Sequence, residues 1–213
     1  PYAVKPTSGM VADALELDPF CHSADLEFAC KAGTASMQIV DAFVRSKQVR
    51  YGLAIGSDTA QAAPGDALEY TAAAGAAAYI IGPEKAKNAL CRIDYTLSFT
   101  TDTPDFWRGA HDEYPSHAGR FTGEPAYFHH VHEAIKGISE LASIDPTEVD
   151  HVVLHMPNAK FPSRMAKEFG FSKEQMEHGF IVPHIGNTYS ACSPLGLAHT
   201  LQHAKEHETI LLV

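Results

Sequence analysis

The stretch that decides the fold reads Ala24-Asp25-Leu26-Glu27-Phe28-Ala29-Cys30-Lys31-Ala32-Gly33-Thr34-Ala35. An extended run gives way here to small residues and then to a helical pattern, whose predicted apolar side is formed by Ile39, Ala42, Phe43 and Val44. A cysteine at such a junction meets unpaired backbone N–H groups and the positive end of the helix dipole, and both favour the thiolate. The pattern predicts Cys30 as a nucleophile, with a buried structural cysteine as the alternative.

Composition limits the class of protein. The chain has 213 residues, 45% of them hydrophobic and 20% charged, which is enough to form a sizeable core in a single domain spanning residues 1–213. The net charge of −10 argues against nucleic acid as a partner. No apolar run reaches membrane-spanning length and no basic leader is visible, so we expect a cytoplasmic protein without a membrane partner. The cysteines, which lack CxxC spacing, fit a reducing compartment.

Both ends of the sequence fall within a local sequence pattern and do not complete it. Pro1 begins without an initiator methionine, and the apolar run 209–213 stops without a following turn. A fully apolar strand normally lies inside a sheet and leads into a loop. We therefore expect the chain to be a segment of a longer protein.

Strands and helices alternate along the sequence. The predicted strands are residues 50–58, 75–82, 88–100, 150–156 and 208–213. The predicted helices are residues 126–143, a helix starting at Pro162, 172–178 and 190–207. Residues 101–125 are rich in Thr, Pro, Gly and His, which predicts a surface excursion. Alternation of this kind is typical of an α/β fold with a mainly parallel, buried sheet.

Polar groups follow the predicted strands, where open α/β sheets place their sites. His155 comes directly after an apolar strand and could transfer protons, although a packed histidine is the plainer reading. Lys160 and Arg164 are four residues apart at a helix start and could hold phosphate, or could form a solvated face. Asn187 precedes a helix and could cap it or polarise a carbonyl.

Two other constellations compete with these. Cys192 also begins a predicted helix, but the small residues around it favour a packing role over nucleophilic chemistry. His129, His130, His132 and Glu133 suggest a metal, since His129 can converge with His132 or Glu133 on a helix. No second pair of ligands completes the set, so the sequence predicts no metal site.

Five motifs, in family order, resemble hydroxymethylglutaryl-CoA (HMG-CoA) synthase. Three of them are FACKAGTA (28–35), HMPNAKFP (155–162) and GNTYS (186–190). Two more, GDALEYT (65–71) and GRFTGEPAY (119–127), are similar to the archaeal branch. The resemblance runs from the first residue to the last. It implies an α/β, thiolase-like layered fold (αβαβα), here incomplete, that pairs into homodimers.

The same resemblance implies a division of the fold into two similar halves. Residues of about 1–100 would form part of the N-terminal half, and residues 101–213 most of the C-terminal half. It also implies an acyltransferase of the mevalonate pathway, in which Cys30 takes an acetyl group from acetyl-CoA. His155 would protonate the forming alkoxide or polarise the ketone of acetoacetyl-CoA, and Asn187 would orient the thioester carbonyl.

Substrate contacts are implied as well. Lys160 and Arg164 would bind the phosphates of CoA, and Thr71 and Thr122 would contact the acyl substrate. The CoA thioesters are substrates, and no cofactor is expected. Acetoacetyl-CoA thiolase and a small bridging protein are the protein partners that the resemblance implies.

One departure from the family bears on activity. The general-base glutamate of the family lies just before the segment that begins here at Pro1, and its Gly-Ser-rich loop follows the segment that ends at Val213. General acid–base catalysis contributes about 10²–10⁴ in rate, so we expect the 213 residues alone to make little HMG-CoA. Two alternatives stay open: another thiolase-fold acyltransferase such as a ketoacyl synthase, and a non-catalytic CoA-binding or scaffold fragment.

Overall fold

The computed structural model describes residues 4–27 and 29–213, so Pro1 to Ala3 and Phe28 of the first motif lie outside it. The α-helices are α1 Thr7–Ala14, α2 Ala32–Arg45, α3 Phe128–Ala142, α4 Lys160–Phe169, α5 Lys173–Met176, α6 Val182–Ile185 and α7 Cys192–Leu201. The strands are β1 Gly52–Asp58, β2 Gly75–Ile81, β3 Phe106–Trp107, β4 Ser116–His117, β5 His151–Val153 and β6 Ile210–Leu212. Short 3₁₀ turns lie at Ala29–Lys31, Ala67–Tyr70, Pro146–Glu148 and Tyr189–Ala191. Among these residues, no helix combines the length and apolar character that crossing a bilayer requires.

Strand pairing differs from the expected mainly parallel sheet. The longest pair, β1 and β2, is antiparallel, with Gly52 opposite Ile81 and Asp58 opposite Gly75. β3 and β4 are also antiparallel, whereas β5 and β6 are parallel. A parallel crossover usually contains an α-helix, and residues 59–74 between β1 and β2 contain a single 3₁₀ turn. The prediction of a mainly parallel sheet was therefore wrong for the strands that the structure describes.

The predicted strand at residues 88–100 is not a strand in the structure. The segment is irregular and lies along α2, where Gln38 Nε2 donates to the carbonyl of Leu97 at 3.0 Å. The guanidinium of Arg45 donates to the carbonyl of Ile93. Alternating apolar residues indicate an extended backbone, but they do not say whether another strand or a set of side chains supplies its hydrogen-bond partners.

The inner face of α2 also differs from the predicted one. Ile39, expected on the apolar side, is 42% exposed. A Cβ at Gly33 would lie 2.0 Å from the carbonyl oxygen of Ser190, so the helix start is pressed against the Tyr189–Ala191 turn. This close approach sets the rotation of the helix about its axis. The side chains of α2 that then pack into the core beside β1 and β2 are Met37, Val40 and Val44.

The C-terminal core follows the sequence more closely. Helix α3 was predicted at residues 126–143 and is confirmed within two residues. Its buried positions recur at helical spacing and pack against β5, α4 and β6 through Val131, Ile135, Val152, Met165 and Leu211. Ile135 is completely buried.

Ile135→Ala is expected to lower the free energy of unfolding by about 2–5 kcal/mol, because it leaves a cavity in this core. Ile39→Ala on the exposed side of α2 should change it by less than about 1 kcal/mol. Denaturant unfolding of the two variants measures both values. Equal losses would contradict the assignment of the core.

Helix α4 begins two residues earlier than predicted, at Lys160 instead of Pro162. The reason is a cap that the sequence reading missed. Asn158 Oδ1 accepts from the backbone N–H of Lys160 at 2.9 Å and of Phe161 at 3.0 Å. Pro162 is therefore the third helical residue, where its missing N–H still costs no intrahelical bond.

Candidate functional site

Cys30 lies in the 3₁₀ turn that leads directly into α2, as the junction in the sequence predicted. The residue before it, Ala29, has a φ of 47°, in the left-handed region that side chains other than glycine rarely adopt. This turn is packed against the Tyr189–Ala191 turn at the start of α7. Cys30 as a whole residue is partly exposed and lines a cavity, but its thiol is withdrawn from water.

The ionisation of Cys30 is opposite to the one expected. Burial raises the pKa of the Cys30 thiol, and the nearby Cys192, Asp58 and Asp105 raise it further. The expectation that the helix start leaves Cys30 in a setting that favours the thiolate does not hold in the folded chain. Loss of water and two neighbouring carboxylates disfavour a negative sulfur more than the helix dipole favours it.

A raised pKa predicts slow alkylation of the free protein. Each unit by which a thiol pKa rises lowers the thiolate fraction about tenfold at about pH 8. Iodoacetamide should therefore modify Cys30 at least about tenfold more slowly than an exposed thiol, with a rate still rising near about pH 10. Cys21, which is exposed, provides the internal control in peptide mass spectrometry. Faster modification of Cys30 than of Cys21 would contradict the assignment.

His155 lies two residues beyond β5 and lines the same cavity as Cys30. Its backbone carbonyl accepts a hydrogen bond of 2.7 Å from the Tyr127 hydroxyl, which fixes the main chain at this point. Its Nδ1 is buried without a hydrogen-bond partner among residues 4–27 and 29–213. Burial lowers the pKa of His155 from 6.5 to about 4. The ring is therefore a neutral imidazole at neutral pH.

This lowered pKa predicts a pH dependence of stability. The unfolded chain takes up the His155 proton near the ordinary pKa of 6.5, whereas the folded chain takes it up only near 4. As the pH falls through this window, His155 should lower the free energy of unfolding by up to about 3 kcal/mol. Denaturant unfolding of His155→Asn should show a smaller acid loss than the unsubstituted chain. If both proteins lost the same free energy of unfolding in acid, groups other than His155 would be responsible for the acid sensitivity.

Asn187 is buried and lies just before the Tyr189–Ala191 turn. Its Oδ1 accepts from the backbone N–H of Tyr189 at 2.9 Å, a bond within the turn that precedes α7. The suggested cap on the helix itself is not formed, because α7 begins at Cys192 without a side-chain cap. Its backbone N–H donates to the carbonyl of Thr71 at 2.6 Å, and its carbonyl accepts from Ala73 at 2.9 Å. With Oδ1 occupied, the side-chain NH₂ is the group that Asn187 can offer to a carbonyl in the cavity that it lines.

Cys192 lies behind the site rather than in it. The side chain is almost fully buried, and its sulfur lies 3.7 Å from the carbonyl of Met156. Burial raises its pKa to about 11. These contacts support the packing role that the sequence reading preferred for Cys192.

The remaining predicted site residues divide into two groups. Thr122 lines the cavity, and its hydroxyl donates to the carbonyl of Asp105 at 3.3 Å. Thr71 reaches the site through its backbone bond to Asn187. Lys160 and Arg164 are exposed on α4, outside the cavity wall. Specific contacts link four of the predicted site residues. Cys192 lies between Cys30 and the segment of His155. Thr122 is bonded to Asp105, which lies near Cys30. Asn187 is bonded to Tyr189 in the turn that packs against the Cys30 turn. The basic pair stays at the surface.

Arg164 is already engaged at that surface. Its guanidinium forms an ion pair with Glu124, and its Cζ lies 4.0 Å from the centroid of the Phe128 ring. A phosphate that bound Arg164 would have to compete with this carboxylate.

The cavity is also lined by side chains that sequence reasoning did not single out, among them Asp58, Asp105, Tyr127 and Tyr189. Asp58 was visible as the polar end of β1, but Asp105 lies in the loop excursion and Tyr127 at the start of a helix. Burial raises the pKa of Asp105, and it raises the pKa of Tyr189 to about 12. Asp105 and Tyr189 therefore stay protonated more readily than they would in water.

The histidines weighed as metal ligands on α3 have other partners. His130 Nδ1 lies 2.7 Å from the carbonyl of Ala126, and His132 Nδ1 lies 2.7 Å from Glu168 Oε1. The ring of His129 packs edge-on against Phe99. In the part of the chain that the structure describes, these residues do not form a converging set of ligands.

Solved structures define the class of fold. An HMG-CoA synthase complexed with CoA aligns with a TM-score of 0.81 and 23% identity, over 96% of this chain and 55% of that one. The 3-oxoacyl-(acyl carrier protein) synthase III of Pseudomonas aeruginosa PAO1 aligns with a TM-score of 0.83 and 20% identity, over 98% and 67%. The C-terminal family of 3-oxoacyl-[acyl-carrier-protein] synthase III matches residues 140–213. The chain has the predicted thiolase-like fold, in incomplete form.

Sequence similarity points to one group of relatives. The chain is 57% identical over 213 residues to the HMG-CoA synthase of Archaeoglobus fulgidus, and 55% identical over 213 residues to that of Methanocaldococcus jannaschii. Each match covers 100% of this chain and 61% of the relative. The resemblance to archaeal-type HMG-CoA synthase is thereby confirmed along the whole chain, which spans about 61% of the length of these relatives.

Proposed function

We propose that the intact protein is an acyltransferase that condenses acetyl-CoA with acetoacetyl-CoA to HMG-CoA, in the mevalonate pathway. The observation that carries the proposal is that Cys30, His155 and Asn187 meet around Cys192 and the Tyr189–Ala191 turn. Cys30 lies near enough to Cys192 for the two sulfurs to interact, and the sulfur of Cys192 contacts the carbonyl of Met156, the residue after His155. Asn187 is bonded to Tyr189 in the turn that packs against the Cys30 turn. A nucleophile, a proton-transfer group and a carbonyl-binding amide are the three functions that acyl transfer through a thioester requires.

In the first step the Cys30 sulfur attacks the carbonyl carbon of acetyl-CoA. A new sulfur–carbon bond forms, the bond to the CoA sulfur breaks, and the thiol proton ends on the departing CoA sulfur. Because the pKa of Cys30 is raised, the sulfur becomes nucleophilic only as it loses its proton to a base. The neutral imidazole of His155 is a base in the same cavity.

In the second step the acetyl methyl group loses a proton and its carbon bonds to the ketone carbon of acetoacetyl-CoA. The resemblance assigns this proton to a glutamate before Pro1. Neutral His155 polarises the ketone through an N–H hydrogen bond and supplies a proton to the alkoxide, while the NH₂ of Asn187 binds the thioester oxygen. Water then cleaves the acyl–sulfur bond, which releases HMG-CoA and restores the Cys30 thiol.

The substrate contacts are part of the same proposal. Thr122 lines the cavity near the reacting groups and contacts the acyl chain, and Thr71 acts beside it through Asn187. Lys160 and Arg164 bind the CoA phosphates at the protein surface, where Glu124 is displaced from Arg164. CoA thioesters are the substrates, and this chemistry needs no further cofactor.

Partners and location are proposed by the resemblance alone. The protein forms a homodimer in the cytoplasm and associates with acetoacetyl-CoA thiolase through a small bridging protein. Size-exclusion chromatography with light scattering tests both associations: the protein alone for the homodimer, and the protein with the thiolase and the bridging protein for the complex.

A second acyltransferase function has specific support from the fold. The synthase III structure aligns with a TM-score of 0.83, and the synthase III family covers residues 140–213. The intact protein should be acetylated with acetyl-CoA and then given either acetoacetyl-CoA or a malonyl thioester. Discharge of the acetyl group by acetoacetyl-CoA with formation of HMG-CoA supports the proposal, whereas discharge by the malonyl thioester supports a ketoacyl synthase.

The same experiment separates catalysis from scaffolding. Binding of acetyl-CoA without any gain of an acetyl group in intact mass would indicate a non-catalytic CoA-binding protein. That outcome would contradict the proposed reaction at its first step.

A further inference from the structure

Three histidines converge at the C-terminal end of α7, outside the wall of the Cys30 cavity. His178 lies in the loop between α5 and α6, and His199 and His203 are one helical turn apart. One ring nitrogen from each lies within 4.8 Å of the others. The rings of His178 and His203 are stacked with centroids 4.1 Å apart, and those of His199 and His203 are 4.7 Å apart.

Hydrogen bonds fix which nitrogen of two rings is free. His199 Nδ1 lies 2.8 Å from the carbonyl oxygen of His178, and His203 Nδ1 lies 2.9 Å from the carbonyl oxygen of His199. A carbonyl oxygen can only accept, so both Nδ1 atoms carry hydrogen and both Nε2 atoms keep a lone pair. Histidines that bind metals are oriented by this kind of bond from the other ring nitrogen.

The backbone that carries the three rings is closely packed. A Cβ at Gly179, next to His178, would lie 2.3 Å from the carbonyl oxygen of Val152 in β5. A Cβ at Gly196 in α7 would lie 3.1 Å from the carbonyl oxygen of Gly179. The loop bearing His178 is therefore held directly against the helix that leads into His199 and His203. Rigid placement of this kind lowers the entropy lost when three side chains bind one ion.

We propose that His178, His199 and His203 form a binding site for a divalent transition metal of the zinc class. Imidazole nitrogen is a preferred ligand of such ions, with zinc–nitrogen distances of about 2.0–2.1 Å. Tetrahedral ligands at that distance are about 3.4 Å apart, so the ring nitrogens close in by roughly 1 Å on binding. An imidazole nitrogen binds an ion in the plane of its ring, so the stacked rings of His178 and His203 must also rotate out of parallel. Water takes the fourth position. The ion ties the end of α7 to the loop after α5 and takes no part in acyl transfer.

Zinc titration of a tag-free chain by isothermal calorimetry tests the site, with circular dichroism as the control for folding. The test variant is His199→Gln/His203→Gln, and the matched control is His129→Gln/His132→Gln on α3. The unsubstituted chain and the control should bind one zinc ion, and the test variant should bind at least about tenfold more weakly. Zinc should also raise the melting temperature of the unsubstituted chain and of the control variant. It should raise the melting temperature of the test variant by much less. His178→Gln, on a separate segment, repeats the test if the double variant is misfolded.

Two results would overturn the proposal. One is a failure of zinc binding, either because the folded, unsubstituted chain binds no zinc or because the α3 control variant loses zinc binding while the test variant keeps it. The other is loss of Cys30 acetylation when EDTA removes the metal, since the ion would then belong to the acyl chemistry. Failure of acetylation with zinc binding intact would instead count against the proposed synthase and leave the metal site supported.

Discussion

Cys30→Ser is expected to abolish formation of the acetyl-enzyme, and to lower HMG-CoA synthesis by the intact protein by a factor on the order of 10⁴ or more. A serine hydroxyl ionises far less readily than a thiol, and the site already raises the pKa of the sulfur that it replaces. Asp58 and Asp105, which add to that shift, would oppose an alkoxide at least as strongly. Intact-mass measurement after incubation with acetyl-CoA records the first effect, and product formation records the second.

Cys192→Ser is the matched control for this prediction. Its sulfur is buried beside the carbonyl of Met156, and a serine hydroxyl can keep a hydrogen bond there. We expect this variant to acquire the acetyl group at close to the normal rate. An adduct that survives in Cys30→Ser and disappears in Cys192→Ser would show that Cys192, and not Cys30, is the nucleophile.

His155→Asn is expected to lower the rate of condensation by about 10²–10⁴, the usual contribution of a general acid–base group. An asparagine can still donate a hydrogen bond to the ketone, but it cannot accept and return a proton. The loss should therefore fall mainly on kcat, with a smaller change in KM for acetoacetyl-CoA. His184→Asn on the exposed side of α6 is the control and should retain normal kinetics.

The pH profile distinguishes the neutral imidazole from a charged one. With a pKa lowered to about 4, His155 should contribute no ionisation to the rate between about pH 5 and 8. A transition near the ordinary histidine pKa that vanishes in His155→Asn would show that the ring of the resting enzyme is already charged below that pH. That result would contradict the role in which the neutral ring polarises the ketone.

Features that depend on neighbours in sequence could be predicted. The junction at Cys30, the helix α3 and the strands β1, β2, β5 and β6 each follow from a local pattern of apolar and small residues. The cap on α4 was missed although it is local, because Asn158 had been read as part of a motif and not as a helix start. Resemblance between motifs supplied the fold class and the chemistry, which local patterns do not specify.

Features that depend on contacts between distant residues could not be predicted. The rotation of α2 is set by Gly33 meeting Ser190, which is more than 150 residues away. The irregular path of residues 88–100 depends on Gln38 and Arg45 supplying hydrogen bonds from α2. The histidine cluster also depends on distant residues. The histidines on α3 have a suitable spacing in the sequence but do not converge, whereas His178 meets His199 and His203 across the fold.

The amino-acid sequence by itself determined where Cys30, His155 and Asn187 stand relative to the helices and strands, because those positions are fixed by periodicity and capping over a few residues. Only the tertiary structure decided the protonation states of Cys30 and His155. A pKa depends on the water removed and the charges brought near, and for Cys30 both come from segments far along the chain, including Asp58, Asp105 and Cys192. The helix start alone would favour a thiolate at Cys30. The folded surroundings favour a thiol, which ionises when a base accepts its proton.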